Sequence, residues 1–169
     1  AKQKSICYTW HTSKVKTFED AQKMQAIVGT SSSTATGSVM PRMLNAMAGT
    51  KFKINRGYDP NEVFLAMERG ELDGTCGYGW SSLKTARPDF IEQKKVNLLL
   101  QFSDSSHKEL EGKVPVMMDY ITNPTDRAML KIVFGTQEMG RPFVGPPEMP
   151  KARVAAIRKA FMDTMKDPA

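Results

Sequence analysis

Short apolar runs rich in β-branched and aromatic residues alternate with capped, amphipathic stretches along the whole chain. A chain patterned this way folds into layers of helix and sheet. Ile6 to Trp10 reads as the first strand. Thr17-Phe18-Glu19-Asp20 reads as a helix start, with Thr17 as N-cap and Asp20 three residues on. Ala26 to Val28 reads as a buried strand ending at Gly29. Beyond a loop over 29–37, a helix is expected to take Pro41 in its first turn, where a missing N–H costs nothing. Val39, Met40, Met43, Leu44 and Met47 line its apolar face and Gly49 ends it. Phe52 to Ile54 is the next strand. Asp59-Pro60-Asn61-Glu62 then starts a helix with Asp59 as N-cap, Val63, Phe64 and Met67 on its apolar face, and Gly70 as its stop.

The second half continues the alternation. Leu72 to Gly77 reads as a strand, and a helical stretch over 81–85 breaks at Arg87-Pro88. Val96 to Leu100 is a strand, and Glu109 to Val114 a polar loop with Glu109 and Glu111 in solvent. Asn123-Pro124 opens a helix holding Met129, Leu130, Ile132 and Val133 inside. Arg141 to Val144 reads as a short strand, and Pro150 starts a last helix with Val154, Ile157, Phe161 and Met165 at helical spacing. These repeated units specify an α/β protein with a mainly parallel sheet flanked by helices. Ligands of such sheets sit beyond the carboxyl ends of the strands. Two loops fall there, Thr30 to Gly37 and Tyr58-Asp59.

Composition narrows the partners. The net charge of +6, from 24 Lys and Arg against 18 Asp and Glu, favours anions. The basic residues are dispersed and lack the aromatic interleaving of a nucleic-acid surface, so no nucleic acid is expected. No apolar run reaches membrane-spanning length, so no membrane insertion is expected. No basic-then-apolar leader opens the chain at Ala1, so an export signal is expected to be absent or removed. Cys7 and Cys76 form no CxxC pattern; they either pair in an oxidising compartment or stand as two small apolar residues in strands. His11 and His107 are isolated, so neither metal nor cofactor is expected.

The loop from Thr30 to Gly37 leads into a helix N-terminus, where free N–H groups and the helix dipole favour an anion. Ser31, Ser32, Ser33, Thr34 and Thr36 add hydroxyl donors without any Lys or Arg. The plainer alternative is a solvated turn with a capping serine. Tyr58 closes the next strand and can place its phenol on a ligand. Asp59 faces the same place, although capping suffices to explain it. Asp73 is either a ligand contact or a buried acid satisfied by backbone. Enzyme patterns fail here. A phosphate loop needs Lys where Ser38 follows Gly37, and a nucleophile elbow needs Gly where Ser33 follows Ser31. Gly77-Tyr78-Gly79 runs on to Ser82 where a dinucleotide fingerprint needs a third Gly. No catalytic residue is assigned.

Several segments in order resemble the solute receptors of tripartite tricarboxylate transporters (the Bug proteins). They are Val15-Lys16-Thr17-Phe18-Glu19-Asp20, the loop Gly29 to Gly37, Pro41 to Ala46 and Gly49 to Lys53. Further on come Gly57-Tyr58, Met67 to Gly74, Trp80 to Lys84, and Gly140 to Val144 with Pro146-Pro147. The resemblance implies a lobe of a type 2 periplasmic binding protein. It implies a periplasmic trap, not an enzyme, that binds a small organic acid and delivers it to membrane subunits of its transporter. Thr30, Ser31, Ser32, Thr34 and Thr36 match the anion loop of the second lobe, and Tyr58 with Asp59 the second loop. Ser32 and Thr34 stand where the family often has glycine, and Asp59-Pro60 where it often has Pro-Gly. The acid at Asp59 turns the expectation from a simple dicarboxylate to a ligand with a hydroxyl or amine. Members are close to twice this length. The resemblance therefore implies a fragment without the N-terminal part of the first lobe: residues 1–10 as hinge strand, 11–140 as second lobe, and 141–169 as a return into the first lobe. The alternatives are a ligand-sensing effector domain of a regulator and an esterase using Ser31.

Overall fold

The computed structural model describes residues 4–138 and 143–167. Its centre is a five-stranded sheet of β1 (Ser5–Trp10), β2 (Ala26–Thr30), β3 (Phe52–Arg56), β4 (Gly74–Gly79) and β5 (Val96–Phe102), in the order β3-β2-β4-β1-β5. The strand β2 is parallel to β3 and β4, whereas β1 runs antiparallel to both of its neighbours, β4 and β5. Four strands therefore point one way and β1 the other. Cys7 lies opposite Cys76 in the β1–β4 register, and their sulfurs form a disulfide.

Helices cover both faces, which is why the strands read as apolar runs and not as strict alternations. On one face α1 (Phe18–Lys23), α2 (Thr36–Ala48) and α6 (Pro124–Glu138) enclose a core that includes Cys7, Phe18, Val28, Leu44, Leu100, Leu130 and Phe134. On the other, α3 (Pro60–Glu68), α4 (Trp80–Ala86) and α5 (Pro88–Glu92) bury Val63, Phe64, Met67, Trp80, Leu83 and Phe90 against Ile6, Tyr8 and Trp10. A 3-10 turn at Met117–Asp119 joins the first core. The last helix, α7 (Lys151–Thr164), buries none of its residues.

The caps form as their residues dictate. Thr17 and Asp20 make a reciprocal capping box on α1, and Asp59 and Glu62 make another on α3. Gly49 ends α2 in the left-handed conformation at φ 69°.

Five expectations are corrected. Pro41 lies inside α2, not in its first turn, because the helix begins at Thr36. Its missing N–H removes the intrahelical bond to the Gly37 carbonyl, one turn into the helix. The fourth strand begins at Gly74, so Leu72 and Asp73 precede it. Glu109 is not simply solvated; it accepts from the Trp80 indole N–H at 2.9 Å and pairs with Lys84. Met129 and Ile132 face outward on α6, at 48% and 74% exposure, while Leu130 and Phe134 face the core. Arg141 and Pro142 lie outside the described residues, and Phe143 and Val144 are exposed without forming a strand.

Candidate ligand cleft

The site forms where β2 and β4 end. A cleft of about 120 Å³ opens between the N-terminal ends of α2 and α3. Gly29, Thr30, Ser31, Ala35 and Gly37 line it from the β2–α2 connection. Tyr58, Pro60, Val63 and Phe64 line it from the β3–α3 connection, and Thr75, Cys76, Gly77 and Tyr78 from β4. Two backbone bonds hold the connections together: the Gly57 N–H donates to the Ser31 carbonyl and the Tyr58 N–H to that of Thr30, each at 3.2 Å.

Close backbone approach sets the depth. A Cβ on Gly37 would stand 2.6 Å from the Thr30 hydroxyl and 3.1 Å from the Cys76 carbonyl. Gly77 has φ +87°, and a Cβ there would meet Thr36 at 2.8 Å. These two glycines let the start of α2 settle onto the ends of β2 and β4. The outer turn of the loop is fixed separately. Ser38 Oγ donates to the Ser32 carbonyl, and Arg42 donates to the carbonyls of Ser33 and Ser38.

Among the described residues, the backbone N–H groups of Ser31 to Gly37 donate to no protein acceptor. The N-cap, Ala35, has no side chain to supply one, and the first turn of α2 contains no acid. The positive end of a 13-residue helix is thus left open beside the cleft. The Thr30 hydroxyl lines the same space on a residue only 5% exposed, and it too has no partner among the described residues. Thr75 Oγ1 is committed to the Gly29 carbonyl at 2.9 Å. Among the described residues, no Lys, Arg or His lines the cleft. Burial raises the pKa of the Tyr78 phenol above its ordinary value, so it stays a neutral hydrogen-bonding group.

Of the residues singled out from sequence, the structure brings Thr30, Ser31 and Tyr58 together in the cleft. Ser32, Ser33, Thr34 and Thr36 lie on the exposed turn above it, and the Ser32 and Thr34 hydroxyls face each other at 3.4 Å. Asp59 directs its carboxylate at the Asn61 and Glu62 amides of its own helix and does not line the cleft. Asp73 sits at the opposite end of the sheet, accepting from Ser13 Oγ at 2.9 Å and the Ile27 N–H at 2.8 Å. Its carboxylate is a structural tie and not a wall of the cleft. Sequence reasoning missed Gly77, Tyr78, Val63 and Phe64. The Gly-Tyr-Gly triplet was the available signal for the first two; Val63 and Phe64 read only as core.

Among the described residues, no acid–base partner is assembled for Ser31. His11 follows β1, whose direction carries it to the far end of the sheet, beside Lys95. His107 Nδ1 accepts from the Glu109 amide. A larger groove of about 790 Å³ flanks β5 and α1, but its acids are already engaged. Glu19 accepts from the Tyr120 hydroxyl, Asp119 from the Val116 N–H, and Asp104 from Ser105.

No family model matches the sequence, and no curated protein matches it. Solved structures do. A TctC solute-binding protein from Polaromonas, without ligand, superposes with a TM-score of 0.54 at 15% identity, over 82% of this chain and 53% of that one. R. palustris Rpa4515 with adipate superposes with a TM-score of 0.57 at 13% identity, over 98% of this chain and 65% of that one. The chain shares the α/β fold of these solute-binding structures. It spans between half and two thirds of the length of these two similar structures.

Proposed function

We propose that this chain is a ligand-binding lobe of a periplasmic solute receptor of the tripartite tricarboxylate type. It captures a small organic carboxylate for delivery to membrane subunits of its transporter, and it is not an enzyme. The observation that carries this reading is the run of unpaired amides from Ser31 to Gly37 beside the partnerless Thr30 hydroxyl. A carboxylate placed there receives several short hydrogen bonds and the field of the α2 dipole without any cationic side chain. Thr30, Ser31 and Tyr58 are its contacts in the cleft, and Ser32, Ser33, Thr34 and Thr36 shape the turn that presents the amides.

In this reading residues 1–10 are a hinge strand, 11–140 the lobe, and 141–169 a return into a first lobe. The Cys7–Cys76 disulfide supports a periplasmic location, because such bonds persist in oxidising compartments. The resemblance to a TctC protein, and to a structure with adipate, supports a carboxylate as ligand. A single lobe leaves much of its ligand in water, so millimolar affinity is expected of this chain alone. Titrating acetate and adipate into labelled protein and following the amide resonances tests the proposal. Shifts centred on Ser31 to Gly37 are expected. Shifts dispersed over the basic surface, or none, overturn it.

A further inference from the structure

The two walls of the cleft differ in chemistry. One is the donor row of α2. The other is apolar: Tyr58, Pro60, Val63, Phe64 and Tyr78. Phe64 is only 3% exposed and meets Tyr78 edge to face, with centroids 5.4 Å apart and planes at 75°. That contact fixes the ring surface next to the anion seat.

The cleft also lies between two helix N-termini that are not alike. The start of α2 has no side-chain cap and no acid. The start of α3 is closed: Asp59 Oδ1 accepts from the Asn61 and Glu62 amides, and Glu62 Oε2 accepts from the Asp59 amide at 2.8 Å. Two carboxylates therefore occupy the second terminus before any ligand arrives. A second ligand charge in the cleft would meet ring faces and a helix start whose dipole is already offset by carboxylates, with no Lys or Arg among the described lining residues.

We infer that this lobe selects a carboxylate whose body next to the charge is an aromatic ring, and that it disfavours short polycarboxylates. The carboxylate sits on the α2 amides and Thr30, and the ring lies against Tyr58, Phe64 and Tyr78. The inference rests on the proposed carboxylate site and specifies its ligand class.

Amide-resonance titrations of the full chain with benzoate, acetate and succinate test it. Benzoate is expected to bind about tenfold more tightly than acetate, as the burial of one ring face implies. Succinate is expected to bind no more tightly than acetate. In Tyr58→Ala the ratio of benzoate to acetate affinity should shrink several-fold. In Glu62→Gln succinate should gain relative to acetate. Tyr78→Leu, which also removes a ring from the wall, gives a second reading of the benzoate advantage if Tyr58→Ala fails to fold. Equal affinity for benzoate and acetate, or tighter binding of succinate than benzoate, overturns the ring assignment and leaves the carboxylate site standing. No shift of the Ser31 to Gly37 amides with any probe overturns both.

Discussion

Tyr8 and Asp73 show how differently two polar side chains can be treated. The Tyr8 phenol is fully buried, has no hydrogen-bond partner among the described residues, and is pushed far above its ordinary pKa chiefly by desolvation. A sealed, unpaired hydroxyl costs free energy, so Tyr8→Phe is expected to leave stability unchanged or raise it by about 1 kcal/mol, read from urea unfolding. A clear loss would show that the hydroxyl is partnered after all. Asp73 is the opposite case, since both of its oxygens are used. Asp73→Ala strands the Ser13 hydroxyl and the Ile27 N–H and is expected to cost about 1–3 kcal/mol. Carboxylate binding should be unaffected, because Asp73 lies at the far end of the sheet. Sequence could not separate these roles. The partners of Asp73 are 46 and 60 residues away, and nothing local announces them.

Among the elements, legibility followed locality. The capping boxes on α1 and α3, the glycine end of α2 and the break before Pro88 all stood where short-range chemistry put them, because their partners lie within a turn. The direction of β1 was not legible, since it depends on pairing with strands far along the chain. The cleft was half legible. Its donor row follows from one loop, whereas its apolar wall comes from α3 and β4, whose residues look like core until the sheet brings them together. Gly77 is the sharpest test of that assembly. Gly77→Ala adds a methyl against Thr36 at a positive φ, and is expected to cost more than about 1 kcal/mol and to weaken carboxylate binding by displacing the start of α2. Unaltered binding would show that the helix start does not depend on this contact.

The junction of α4 and α5 makes a pH prediction. Arg87 hydrogen-bonds Asp89, with help from Lys95, and holds the Asp89 carboxyl at about 2, below its ordinary 3.8. The folded value is the lower one, so the contribution is fully present above pH 4 and is lost as pH falls through about 2. Because the pair is partly exposed, Asp89→Asn is expected to cost no more than about 1 kcal/mol at neutral pH. The difference from the parent should shrink in urea unfolding as pH falls through about 2 and vanish below it. A difference that persists there would place the effect in packing and not in charge.

Over the whole molecule, the two cores are complete without the last helix. Leu130 and Phe134 of α6 are built into the first core, whereas α7 buries no residue and leaves Ile157, Phe161, Met162 and Met165 exposed. Truncation after Glu138 is therefore expected to hold the melting temperature within about 2 °C, as calorimetry would read. A larger fall would join α7 to this body.

The central place of β1 has a consequence for biogenesis. The first of the five strands to be made is the last to be fully housed, because it fits between β4 and β5, and β5 starts only at Val96. Before Gly74 to Gly79 are made, a stretch as apolar as Ile6 to Trp10 has neither neighbour and the thiols of Cys7 and Cys76 stay apart; from there to Val96 it has only one. Nascent chains short of Phe102 cannot complete the sheet, so maturation is timed by the arrival of the far edge and not by the local helices that form first.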